Sequence, residues 1–164
     1  MRWITDEGIF KDALSTVDHC RRVEHHQAAS SLRRMIFDSL GLCTRPFLGL
    51  LRGLMNLSGD DSCLYLVVEP DPEEYFWADF KKYPLVEIGK DDVASDYFSS
   101  LNEDPGGSPA DAIGTNWAQF FIFPTSKKWF VIGRRDNETD VGGHLYVPAD
   151  WINQVIEAYP HARI

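Results

Sequence analysis

The stretch from Thr115 to Val147 constrains the fold more than any other, because three successive strands and both connecting turns can be read from it. Trp117 to Phe123 is dense in aromatic residues, Pro124-Thr125-Ser126-Lys127 interrupts it, and Trp129 to Ile132 resumes the same chemistry. Proline cannot donate a ladder hydrogen bond and holds its own φ, while Ser and Thr satisfy turn backbone locally, so a hairpin is expected here. Gly133-Arg134-Arg135-Asp136 and the polar turn Asn137-Glu138-Thr139-Asp140 then lead into a third strand, Val141 to Val147. Within it, Gly142-Gly143 is expected to weaken the pairing or to mark a bulge.

Before this meander the signals are helical. Thr5-Asp6-Glu7 supplies an N-cap and a first-turn acid, and Ile9, Phe10, Ala13, Leu14 and Val17 follow at helical spacing, predicting a first short helix. Ala28-Ala29, Leu32, Met35-Ile36 and Leu40 predict a second helix from about Val23 to Leu40, closed by Gly41. Thr44-Arg45-Pro46 opens a third, with Pro46 in the first turn and an apolar body from Phe47 to Leu57. Gly49 and Gly53 share a face of it, four apart, which allows close approach of a neighbouring element. Cys63 to Val68 is a continuous apolar run of strand length, and Leu85 to Ile88 is a shorter one. A helix with Val93, Tyr97, Phe98 and Leu101, a Pro/Gly loop from Asp104 to Pro109, one helical turn over Ala110 to Ile113 and a last helix after Pro148 complete the chain. Helices first, then strands with helices between and after, predict an α+β fold: a mainly antiparallel sheet with a C-terminal meander at about 117–147 and helices packed on one face.

With 164 residues, 44% of them hydrophobic, one domain with a sizeable core is expected over 1–164, divided into a helical third (about 1–58) and a mixed α+β part (about 59–164). The longest apolar region, Phe47 to Leu57, is too short to span a bilayer and carries Arg52, and no charged-then-apolar leader opens the sequence. Cys20, Cys43 and Cys63 form no CxxC pair and read as reduced thiols. A cytoplasmic protein without membrane contact is the expectation.

Charge is unevenly distributed. The formal net charge is −9, yet residues 1 to 57 hold eight Lys/Arg against six Asp/Glu, while residues 60 to 111 hold fourteen acids against three lysines. Such a middle third repels nucleic acid and attracts a basic partner. It contains Asp60, Asp61, Glu69, Asp71, Glu73 and Glu74, and it runs directly into the aromatic cluster Tyr75-Phe76-Trp77. The carboxylates are read as the attractive rim of a docking face, with Tyr75 and Trp77 as its anchors. Asp136 and Glu138, in the turn after the second strand of the meander, are read as further contacts.

Catalytic motifs of high specificity are missing from the sequence. His19, Cys20, His25 and His26 are soft ligands, but adjacent residues on a helix point about 100° apart, so His25 and His26 cannot both face one ion. Gly106-Gly107-Ser108 has no following Walker lysine, and Glu103, Asp104 and Asp111 would repel a phosphate. The carboxylates from Asp60 to Glu74 lack EF-hand spacing. No catalytic residue, metal or cofactor is therefore assigned. A small metal-dependent or Cys/His hydrolase and an adaptor of a larger bacterial assembly stand as the alternative readings.

Lys128 to Glu138, followed by Val141-Gly142-Gly143, resembles the strand-turn-strand signature near the C-terminus of small cytosolic immunity proteins in bacterial polymorphic-toxin and contact-dependent inhibition systems. In those proteins a Trp-led strand ends in a Gly-x-Arg-Asp-like turn and an apolar strand follows. The double glycine departs from that pattern. The resemblance implies a non-catalytic protein that binds and neutralises a cognate toxin domain, often a nuclease. A nuclease needs a basic groove, so the sign of the charge on the middle third agrees with that implication.

Overall fold

Successive side chains of a strand point to opposite faces, so a strand that is apolar at every position needs cover on both sides. Three segments are of this kind: Cys63 to Val68, Phe120 to Phe123 and Trp129 to Ile132. In the computed structural model, which describes residues 2–26, 30–107, 109–135 and 141–164, they lie in the interior of one antiparallel sheet with helices on both faces.

In chain order the elements are β1 (Arg2–Trp3), α1 (Glu7–His25), β2 (Leu32–Asp38), a 3₁₀ turn (Ser39–Cys43), α2 (Arg45–Ser58) and β3 (Ser62–Glu69). A π-helical turn (Pro72–Trp77) then runs into α3 (Ala78–Phe80), followed by β4 (Leu85–Gly89), α4 (Ala94–Asn102), β5 (Gln119–Pro124), β6 (Phe130–Arg135), β7 (Val141–Pro148) and α5 (Ile152–Ala158). The sheet order is β1-β4-β3-β5-β6-β7-β2, every neighbour antiparallel.

The class is the α+β fold expected, with three corrections. The first helix is not short: Asp6 caps it by accepting from Ile9 N at 2.9 Å, and it continues to His25. The second helix does not exist over Leu32 to Asp38, which is an edge strand paired with β7. Leu32, Met35 and Ile36 fit helical spacing, but Met35 and Phe37 are buried on one face between exposed neighbours, a period of two. An open β7 edge outweighs the local propensity. Ala28 and Ala29 lie outside the described residues. The first third is thus two helices and the two edge strands of the common sheet.

Helices also occupy both faces rather than one. Tyr65, Val67, Phe120, Ile122, Val131 and Leu145 meet α2, α4 and α5, while Leu66, Phe121, Phe123, Phe130, Ile132 and Tyr146 meet α1 through Phe10, Ala13, Val17 and Cys20. The second face is required by the strands themselves, since neither set of alternate residues is polar.

The glycines of β7 make no bulge. Phe120, Gly133, Gly143 and Phe37 stand in register across β5, β6, β7 and β2. A Cβ on Gly133 would fall under 3.0 Å from the Phe120 ring, and one on Gly143 equally close to the Phe37 ring. Each glycine is the space in which a phenylalanine lies flat on the sheet. Gly49 and Gly53, by contrast, have no heavy atom within 4 Å of a would-be Cβ, so the close approach they allow on that face of α2 is not used.

Gly143→Ala is expected to destabilise the fold by about 1–3 kcal/mol through overpacking against a buried ring. Gly142→Ala, one residue away with nothing within 4 Å of its Cβ position, should be neutral. Urea denaturation of the two variants checks the contrast.

Candidate functional site

The acidic segment after β3 is built by local capping. Asp71 accepts hydrogen bonds from Glu73 N and Glu74 N, both at 2.8 Å, and Pro72 occupies the first turn where its missing N–H has no cost. The turn that results faces Phe76 into the core and leaves Glu73, Glu74 and Asp79 in solvent. Trp77 remains 36% exposed, its ring stacked on Tyr83 at 4.6 Å, which stacks in turn on Phe10 of α1 at 3.9 Å. Glu73 and Glu7 both act electrostatically on Tyr83, which places them beside this stack. Tyr75 is half-buried and its hydroxyl donates to Asp111 Oδ1, which raises the pKa of the phenol.

The loop after α4 closes on the same region. Asp104 accepts from Gly106 N at 2.6 Å and from Asp111 N at 3.0 Å, Asn116 Nδ2 donates to Asp111 at 3.2 Å, and Trp3 Nε1 donates to Glu103 at 3.2 Å. Glu69, Asp71, Glu73 and Glu74 thus share one end of the sheet with a second, unanticipated set of acids.

Asp60 and Asp61 do not join them. They precede β3, whose seven steps of about 3.3 Å put its two ends roughly 23 Å apart. Asp60 accepts from Ser126 N at 3.2 Å and from Ser126 Oγ at 2.6 Å, bracing the β5–β6 turn. Partial burial would raise its pKa, but these bonds, Ser58 and the Lys128 ammonium outweigh burial and hold the carboxyl below its ordinary value. Asp61 pairs with Lys90 at 3.1 Å. One continuous acidic rim is therefore not what the fold makes, because the eight residues of β3 separate the two groups. Asp136 and Glu138 lie outside the described residues.

A different constellation has no sequence signal. Glu24 on α1 accepts a two-pronged pair from Arg134 on β6, Nη1 to Oε1 at 2.7 Å and Nη2 to Oε2 at 2.5 Å. From β7, His144 Nδ1 lies 3.3 Å from Glu24 Oε1, and Tyr146 Oη donates to the same oxygen at 3.3 Å. Burial of Glu24 opposes ionisation, but Arg134 and His144 prevail and lower its pKa from 4.5 to about 2. The partners are more than a hundred residues apart in the chain, so only pairing of β6 with β7 under α1 assembles them. This arrangement clamps the C-terminal half of α1 to the sheet.

Cys20, one of the residues considered for a nucleophile, is 1% exposed, and burial pushes its thiol up to about 12. It is a core side chain and stays protonated at neutral pH. Among the described residues no three His, Cys, Asp or Glu side chains are grouped so as to hold a metal ion, and no helix is long and apolar enough to cross a membrane. In comparisons with known protein families, curated proteins and solved structures, the chain matches none.

Because its folded pKa is depressed, Glu24 stabilises the fold fully above pH 4.5 and loses that contribution as pH falls towards 2. Glu24→Gln should cost about 2–3 kcal/mol at neutral pH, and its stability should converge with wild type through that acid window. Denaturant titrations across the window measure both.

Proposed function

We propose that this chain is a non-catalytic, immunity-type protein that binds and neutralises a cognate toxin domain with a basic surface, as a nuclease has. The docking surface is the acidic end formed by Glu69, Asp71, Glu73 and Glu74 together with Asp79 and the loop carrying Glu103 and Asp104. Trp77 is its anchor. The observation that carries this reading is the exposed Trp77, held rigid by the Tyr83–Phe10 stack and set in the same turn as three exposed carboxylates. A pre-ordered aromatic loses little conformational freedom on binding, and carboxylates around it raise the rate at which a basic partner arrives. Tyr75 contributes through its bond to Asp111, which ties the turn to the loop, rather than as a free anchor. Asp60 and Asp61 are left out of the surface, since they brace a turn and pair with Lys90 at the other end.

This reading expects a toxin domain to be encoded beside the gene, and that domain is the partner for the test. Its association rate should fall about tenfold or more between low and high salt, and Glu73→Lys with Glu74→Lys should slow it at low salt. Trp77→Ala should speed dissociation about tenfold, the scale of an interface hot spot. A rate indifferent to ionic strength and to the two charge reversals would remove the acidic end from the interface.

A further inference from the structure

At the opposite ends of the strands, on the α1 side of the sheet, lies an open cleft of about 640 Å³ whose charge is the reverse of the protein's own. His19, Arg22 and His26 of α1 form one wall, and Lys127 and Lys128 of the β5–β6 turn form the other. Val23, Leu32 and Pro148 give it an apolar floor, and Ser30 and Ser31 add hydroxyls. Among the described residues no carboxylate lines it, although acids outnumber bases in the chain by 25 to 16. Nor does any described carboxylate form an ion pair with Arg22 or Lys127.

The partial negative charge at the end of α1 accounts for Arg22 in its last turn. It does not account for Lys127, which lines the same cleft from another element. Its position is enforced by the turn: Asp60 holds Ser126, and the neighbouring Lys128 turns its Nζ to Ser58 O of α2 at 2.8 Å. Lys127 also has φ of +56°, a conformation that Gly or Asn would adopt at less cost. Cations that face each other across an apolar floor repel when the cleft is empty and are relieved by one multiply charged anion between them.

We infer that this cleft binds a small organic phosphate, with the phosphates between Arg22 and Lys127 and an apolar body on Val23, Leu32 and Pro148. Arginine offers a planar fork matched to phosphate oxygens, lysine a compact charge, and serine a neutral donor. The volume is that of a site for a molecule of nucleotide size. The proposal is independent of the toxin-binding reading, since none of these residues belongs to the acidic end.

Calorimetric titration of the full chain with adenosine diphosphate and with pyrophosphate tests it, in wild type, Arg22→Gln, Lys127→Asn and, as a control on α2, Arg45→Gln. Asparagine removes the charge while tolerating the positive φ. The diphosphate nucleotide should bind wild type and Arg45→Gln alike, and Arg22→Gln and Lys127→Asn about tenfold more weakly; pyrophosphate should bind wild type less tightly than the nucleotide. Amide NMR shifts of wild type should change at residues 19–26 and 127–128, a readout that needs no variant. Failure to bind, shifts elsewhere, or equal affinity in all variants would overturn the site. Equal affinity for pyrophosphate would overturn the role of the apolar floor. A short RNA binding about tenfold tighter than the nucleotide would replace the small ligand with a nucleic acid and overturn the proposal as stated.

Discussion

Two phenylalanine rings laid over two glycines hold the centre of this molecule, and the rest of the architecture follows from the layer they create. Phe120 over Gly133 and Phe37 over Gly143 fill space that a pair of side chains would otherwise occupy between sheet and helices. From that layer the aromatic contacts continue outward: Phe37 meets Phe47 of α2 at 5.4 Å, and Phe47 meets Tyr159 at 6.1 Å, edge to face. On the inner side Phe120 meets Trp117 at 4.8 Å and Tyr65 at 5.2 Å. Tyr65 then donates to Ile113 O, carrying the packing into the loop ahead of β5. The edge strand β2 is fastened by the same row, and its outer side is partly covered where Ile36 bridges Arg163 in both directions.

A sheet buried on both faces leaves only its strand ends and helix surfaces for charge, and charge is spread over them unevenly. Past the C-terminal end of β3 the capped turn and the loop before β5 gather carboxylates, whereas lysines of the β5–β6 turn and cations of α1 gather at the other end. Asp60, an acid beside these lysines, is held there by three neighbours because it braces the turn that carries Lys127 and Lys128, and Asp61 next to it pairs with Lys90. Net charge alone conceals this separation, since a total of −9 describes neither end.

Much of the fold was legible where a residue's local chemistry and its tertiary role agree. Thr44, Pro46 and Gly59 bound α2 as their side chains and backbone preferences require, and Pro124 closes β5 ahead of its turn. Leu32 to Asp38 reads as helix because Leu32, Met35 and Ile36 satisfy a helical period, and the deciding fact, a vacant edge on β7, is non-local. The site was legible in part: the run of acids into Tyr75-Phe76-Trp77 is plain in the sequence, but the separation of Asp60 and Asp61 from Glu69 to Glu74 depends on how far a strand extends between them. Glu24, Arg134, His144 and Tyr146 carry no common spacing and could not have been grouped.

The sequence by itself determined the antiparallel meander, the helix caps, the two-sided hunger of its central strands for apolar cover, and the sign of charge on the middle third. These are short-range matters of side-chain periodicity, turn chemistry and composition. Only the tertiary structure decided that α1 covers the second face, that two glycines serve as seats for aromatic rings, and that Lys127 comes to line a cleft with the cations of α1. Those outcomes depend on register between segments distant in the chain, and register is set by the joint burial of many residues rather than by any residue's own preference.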